Sequence, residues 1–193
     1  MIINLDSLEI SDNGKEKTFG FVIDVSKLFE LYLVKLLRLH FGDEWEVVHE
    51  DELEVYQNSF FARKMLPDIV MKQGDKVIVF DAKYKKMKFR GTKEGVWDLD
   101  RNDFFQIHTY MSYYKSKGKN VIAGGLLYPI ESKFEQGYCH SSNWLGDNEI
   151  YFIVDGIDLS DLEGENMSEI KKREDDFVNR IRKLIEGSRN DPQ

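Results

Sequence analysis

Two apolar runs, Ile69-Val70-Met71 and Val77-Ile78-Val79-Phe80, flank a Gly74-Asp75 pair, and this stretch restricts the fold more than any other. Gly-Asp between apolar runs signals a two-residue hairpin turn, so Gln73 is expected to face Lys76. Each step away from the turn then pairs the next residues outward, ending with Asp68 opposite Asp81. Lys83, two residues beyond Asp81, points to the same side of the sheet. A slip of one residue would send Asp68 to the other face. Two carboxylates and a lysine are costly to bury in a sheet unless they are paired or hold a metal. An ordinary hairpin with a local salt bridge is the alternative reading of the same spacing.

The chain has 193 residues, 41% hydrophobic and 13% aromatic, enough for one domain with a sizeable core. The expected organisation is a short N-terminal extension, residues 1–19, and one domain over residues 20–193 that ends in a helix. A net charge of −8 and a pI near 5.1 argue against a whole-surface polyanion binder, so any nucleic-acid contact is local. The single cysteine, Cys139, excludes an intramolecular disulfide, and no Cys/His cluster of metal type is present. A reduced, cytoplasmic setting is expected. Residues 1–19 lack a basic start followed by an apolar block, so no signal peptide is read there. The most apolar run, Phe21 to Phe41, is broken by Asp24, Lys27, Glu30, Lys35 and Arg38, too many charges for a membrane span.

Taken in order, residues 2–10 alternate weakly and Ser11-Asp12-Asn13-Gly14-Lys15 is turn chemistry, which predicts a short peripheral strand or the remnant of a preceding region. From Asp24, a capping residue, an apolar helix is predicted to run to Phe41-Gly42. Glu30 is its anomaly: it sits between Phe29 and Leu31, on the side of Lys27 and Val34, and reads either as a solvated charge or as a functional group. A strand is expected around Trp45 to His49, then a solvated loop or edge at Asp51-Glu52-Leu53-Glu54. Asp100 caps a helix that stops at Lys117-Gly118, on which Gln106 and Tyr110, four apart, face the same way. Val121 to Pro129 and Ile150 to Asp155 read as strands joined through a turn-rich connection around Ser141 to Asn148. A final amphipathic helix, about Met167 to Glu186, carries Ile170, Phe177, Ile181, Leu184 and Ile185 on one side. The pattern is α/β, with a central mixed sheet flanked by helices.

Phosphodiester hydrolysis needs a metal that polarises the phosphate and generates hydroxide, and a cation near the developing charge. Asp68 and Asp81 are hard oxygen ligands suited to Mg²⁺, with Mn²⁺ able to substitute, and the backbone carbonyl of Ala82 would complete the shell. Glu30 is expected to supply a further ligand or hold a metal-bound water, and Lys83 to orient the attacking water or stabilise the transition state. Asp/Glu-x-Lys alone is weak, since it occurs at Asp81 to Lys83, Glu131 to Lys133 and Glu169 to Lys171; only the first ends an apolar strand that faces another acid. From Lys83 to Lys93 run six basic residues and no acidic one, with Tyr84 and Phe89 interleaved. Lys85, Lys86, Lys88, Arg90 and Lys93 therefore read as a phosphate-gripping loop, with an ordinary exposed loop as the alternative.

Glu30, Pro67-Asp68, Asp81-Ala82-Lys83 and Gln106 with Tyr110 together resemble the PD-(D/E)XK nuclease superfamily. More narrowly, Leu28-Phe29-Glu30 with Tyr32, Leu66-Pro67-Asp68-Ile69-Val70, Phe80-Asp81-Ala82-Lys83-Tyr84-Lys85 and Asp103-Phe104-Phe105-Gln106 with Tyr110 resemble the McrC-type subunits of McrBC restriction systems, over roughly residues 20–130. The resemblance implies a restriction-endonuclease-like core, with residues 20–193 as the nuclease domain. It implies Mg²⁺-dependent cleavage of double-stranded DNA and activation by a GTP-hydrolysing AAA+ partner that recognises modified cytosine. Glu30, Asp68, Asp81 and Lys83 match the catalytic positions, and Gln106 with Tyr110 matches the helix motif beside them.

Family members also carry an N-terminal region ahead of the nuclease domain that contacts the partner, whereas about 20 residues precede the first helix here. A catalytic fragment, a short variant and a nuclease with a different partner all stay open. So do a RecB-like repair nuclease acting on DNA ends and a nuclease-fold module that binds without cutting. His108 and Cys139 are left out of the site.

Overall fold

The computed structural model describes residues 6–10, 18–22, 24–56, 64–85, 99–130, 140–160 and 166–187. Strands β1 (Asp6–Ile10) and β2 (Thr18–Val22) pair antiparallel as a hairpin of their own. Helix α1 (Val25–Phe41) starts where the Asp24 carboxylate accepts the amides of Ser26 and Lys27, as its sequence predicts, and Gly42 closes it. Strands β3 (Glu46–His49), β4 (Leu53–Glu54), β5 (Lys64–Met65), β6 (Ile69–Gln73) and β7 (Lys76–Ala82) follow. Helix α2 (Arg101–Ser116) is capped by Asp100, which accepts the Asn102 amide at 2.8 Å. Strands β8 (Asn120–Ile130), β9 (His140–Trp144) and β10 (Asp147–Asp158) and helix α3 (Met167–Gly187) complete the described chain.

Six strands form one sheet in the order β3-β6-β7-β8-β10-β9. The β7-β8 and β8-β10 pairs are parallel and the others antiparallel, so the sheet is mixed. Its middle strands read as near-continuous apolar runs because both of their faces are covered. On one face α1 and α3 bury Leu33, Leu37, Phe177 and Ile181 against Ile69, Met71, Ile78 and Phe80. On the other, α2 buries Ile107, Tyr110, Met111 and Tyr114 against Val70, Val77, Val79 and Leu126. Each such side chain contributes about 2–3 kcal/mol on full burial. At the far edge Arg180 of α3 grips the buried Asp155 of β10 with both Nε and Nη2, pinning helix to sheet.

The Gly74-Asp75 turn sets the register as expected, with Gln73 facing Lys76 and Ile69 facing Phe80. Gly74 takes φ 64°, the positive value that a turn with glycine first requires. Two expectations need correction. The stretch from Ser141 to Asn148, expected as a turn-rich connection, is itself a second hairpin: Trp144 pairs with Asp147 across Leu145-Gly146, and β10 extends beyond Ile150 to Asp155 at both ends. Segment 51–54 is not wholly solvated, because Leu53 is buried and pairs with Met65.

Candidate active site

Asp81 falls in the row of β7 with Val77 and Val79, and Asp68 continues the row of β6 through Val70; both rows face α2. The backbone ladder ends at Ile69, one residue short of Asp68. A side-chain contact carries the register further: the Ala82 amide donates to Asp68 Oδ2 at 2.7 Å. Asp81 is fully buried, and no aligned hydrogen bond reaches either of its carboxylate oxygens among the described residues. Lys83 Nζ lies in ion-pair contact with Asp81 Oδ2.

The electrostatics follow from that crowding. Burial, then the neighbouring Asp81 charge, pushes Asp68 up to about 7, against the pull of the Ala82 amide. Burial also raises Asp81, outweighing the adjacent Lys83. Burial alone would lower Lys83, but Asp81 beside it prevails and holds the ammonium protonated. Two desolvated carboxylates side by side, with no aligned hydrogen bond to either Asp81 oxygen, are an unfavourable arrangement for the chain by itself. A divalent cation would relieve it, and the donor set of hard oxygens fits such an ion.

Gln106 and Tyr110 join this group through one chain of hydrogen bonds. Lys83 Nζ donates to Gln106 Oε1 at 3.1 Å, Gln106 Nε2 to the Tyr110 hydroxyl at 2.8 Å, and that hydroxyl to the Leu66 carbonyl at 3.3 Å. The chain runs from the end of β7 across α2 to the residues just before Asp68. Burial raises the Tyr110 phenol, which keeps it a donor.

Glu30 is placed differently. It rises from α1, on the opposite face of the sheet, and its Oε1 contacts His49 Nε2 and accepts from Lys27 Nζ at 2.8 Å. Its charge still reaches Asp68, adding to the upward shift there. Lys85 folds back onto the first turn of α2, donating to the buried Asp103 at 2.8 Å with Asp100 at 3.6 Å. Lys86, Lys88, Arg90 and Lys93 lie outside the described residues, as does Cys139. His108 stacks on Phe104 and Phe152 and bonds the Phe104 carbonyl, away from the acids.

Three residues near the site were not singled out as candidates from sequence. His49 and Glu50 reach it because β3 lies beside β6: His49 faces Ile69, and the Glu50 amide donates to the Asp68 carbonyl at 3.2 Å. No short turn joins β3 to β6, so no local rule fixes that register. Asp103 had a visible signal, an acid in the first turn of the helix that carries Gln106.

A model of the McrBC 5-methylcytosine restriction system component family matches residues 1–129. The chain belongs to this McrBC family. Its fold resembles that of a chain in the Thermococcus gammatolerans assembly of McrB AAA+ hexamers with bound McrC, with a TM-score of 0.56 at 19% identity. That match covers 86% of this chain and 34% of the other, so the present chain spans about a third of its length. A second match, the small subunit R.BspD6I2 of the heterodimeric restriction endonuclease R.BspD6I, has a TM-score of 0.35 at 13% identity and covers 87% of this chain and 91% of that one. No curated protein matches. The McrC-type resemblance of the motifs and the central mixed sheet flanked by helices agree with this family membership. No helix among the described residues is long and apolar enough to cross a membrane.

Proposed function

We propose that this McrBC-family chain is the nuclease component of a modification-dependent restriction system, a Mg²⁺-dependent endonuclease acting on double-stranded DNA with an AAA+ GTP-hydrolysing partner. The observation that carries the reading is the meeting of Asp68, Asp81 and Lys83 on one sheet face, with the Asp81 carboxylate buried and Lys83 in ion-pair contact with it. Asp68, Asp81 and the Ala82 carbonyl would hold the ion, which when bound supplies Lewis acidity and an acidified water. Glu30 stands by as a further ligand. Lys83, kept charged by Asp81, offsets negative charge that builds on the scissile phosphate. Gln106 and Tyr110 fix where its ammonium points. The fold neighbour comes from an assembly with AAA+ hexamers, which supports a partner of that kind. The negative net charge makes unaided DNA binding weak and salt-dependent, so delivery by a partner suits the chain. Lys85 and the basic residues after it, through Lys93, are proposed to contact phosphates, and residues 20–193 to form the nuclease domain.

The test is cleavage of methylated and unmethylated plasmid with Mg²⁺, with and without the AAA+ partner and GTP. Asp81→Ala and Lys83→Ala, both still folded, should abolish cutting; retained cleavage by both in clean preparations would sink the assignment. The Lys83-Gln106-Tyr110 chain favours a second reading, a RecB-like nuclease acting on ends. That enzyme would degrade linear DNA and leave covalently closed circles intact.

A further inference from the structure

Glu30 rises from the helix on the opposite face of the sheet, and its carboxylate is met by Lys27 of its own helix and by His49 of β3. Lys27 Nζ donates to Glu30 Oε1 at 2.8 Å and to Glu50 Oε1 at 2.7 Å, and lies 3.2 Å from His49 Nε2. The ligand-type atoms of Glu30, His49 and Glu50 lie within 4.8 Å of one another. The ammonium thus takes the place of a cation among two carboxylates and an imidazole. This cluster abuts the acid pair, because the amide of Glu50 is bonded to the carbonyl of Asp68.

We propose that Lys27 is a tethered counter-cation that competes with the divalent ion for Glu30, a positioning residue that sets metal affinity at the Asp68-Asp81 centre. The inference rests on the metal-centre reading above. While Lys27 holds Glu30, that carboxylate cannot turn its full charge on an ion beside Asp68. Drawing it away breaks the Lys27 contact. The cost is modest, because the Lys27 side chain is 38% exposed and its released ammonium rehydrates, whereas Glu30, at 12%, cannot rehydrate to the same extent. Without the lysine, Glu30 keeps the His49 contact but not the ammonium, its charge bears on Asp68 unopposed by Lys27, and the ion gains what the ammonium held. The device would also spare the metal-free chain a third uncompensated acid at one site.

The experiment is Mn²⁺ titration of the full chain, followed by electron paramagnetic resonance, for the wild type, Lys27→Met, Lys27→Arg, Glu30→Gln and the Lys27→Met/Glu30→Gln double variant. Lys27→Met should bind roughly three- to fivefold tighter, the scale of one partly solvated charge pair. Lys27→Arg, which keeps the charge, should stay near wild type, and in the Glu30→Gln background the Lys27→Met gain should vanish. Unchanged affinity in Lys27→Met, or an equal gain with and without Glu30, overturns the proposal while the metal centre stands. Absence of wild-type binding that Asp81→Asn removes overturns the metal-centre reading, and this inference with it.

Discussion

The Asp68 carboxylate accepts the amide of Ala82, the residue after Asp81, at 2.7 Å. One hydrogen bond thereby locks the two acids of the hairpin into facing positions just where the backbone ladder stops. Burial and then the neighbouring Asp81 charge raise the Asp68 carboxyl to about 7, and the Ala82 amide opposes them only in part.

That shift gives the metal-free protein a defined pH dependence. Asp68 moves from about 3.9 in the unfolded chain to about 7 in the folded one, so folding takes up a proton between those values. The Asp68 contribution to stability is full below pH ~4, falls as pH rises towards ~7, and is lost above, by at most about 4 kcal/mol; Asp81, also raised by burial, adds a loss of the same sign. Asp68→Asn keeps an acceptor for the Ala82 amide but cannot ionise. Its urea midpoint should show a shallower slope with pH and exceed that of the wild type at pH 8. Added Mg²⁺ should raise the wild-type Tm at pH 8 and leave that of Asp68→Asn unchanged.

The hydrogen-bond chain beyond Lys83 separates positioning from chemistry. Tyr110→Phe removes the bond to the Leu66 carbonyl and the acceptor of Gln106 Nε2, and should cost about 1–2 kcal/mol in stability. Gln106→Leu removes the acceptor of Lys83 itself, so its turnover with DNA should fall further than that of Tyr110→Phe. Mn²⁺ affinity should change little in both. Single-turnover rates beside equilibrium unfolding check the split.

Close approach of the parallel strands makes two glycines unequal. A Cβ at Gly156 would sit 1.7 Å from the carbonyl oxygen of Tyr128, a backbone atom that cannot step aside. At Gly124 the nearest atom, at 2.5 Å, is Sδ of Met111, on a flexible side chain. Gly156→Ala should therefore destabilise more than Gly124→Ala, by about 1–3 kcal/mol on the scale of overpacked cores, as read from chemical denaturation.

Arg180→Met leaves Asp155 buried without its bidentate partner and should cost roughly 3 kcal/mol. The pair lies on the opposite face from Lys83, so Mn²⁺ affinity of the folded protein should be retained. Thermal unfolding beside a Mn²⁺ titration tests both halves.

Much of this arrangement was legible in the chain because a two-residue turn converts sequence distance into register. Gly74-Asp75 fixes which residues meet from Gln73 to Phe80, and the carboxylates follow by parity. The second hairpin was not legible for a reason of turn chemistry. Leu145 and Gly146 take φ 50° and 81°, a primed turn whose first position normally holds asparagine, aspartate or glycine, and a leucine there hides the signal. His49 and Glu50 escaped notice because β3 meets β6 across an intervening segment that no short loop rule governs. Glu30 was recognisable as an oddity on an apolar helix. Its pairing with Lys27 followed the helical spacing, but its tie to His49 depends on tertiary packing.

The most direct measurement is a crystal of the chain soaked in Mn²⁺ at pH 8, with an anomalous difference map collected at the manganese edge. A peak bonded to carboxylate oxygens of both Asp68 and Asp81, and lost in Asp81→Asn, is the expected result. A map with no peak there, or with manganese held only among Glu30, His49 and Glu50, would contradict a metal-dependent centre on the hairpin.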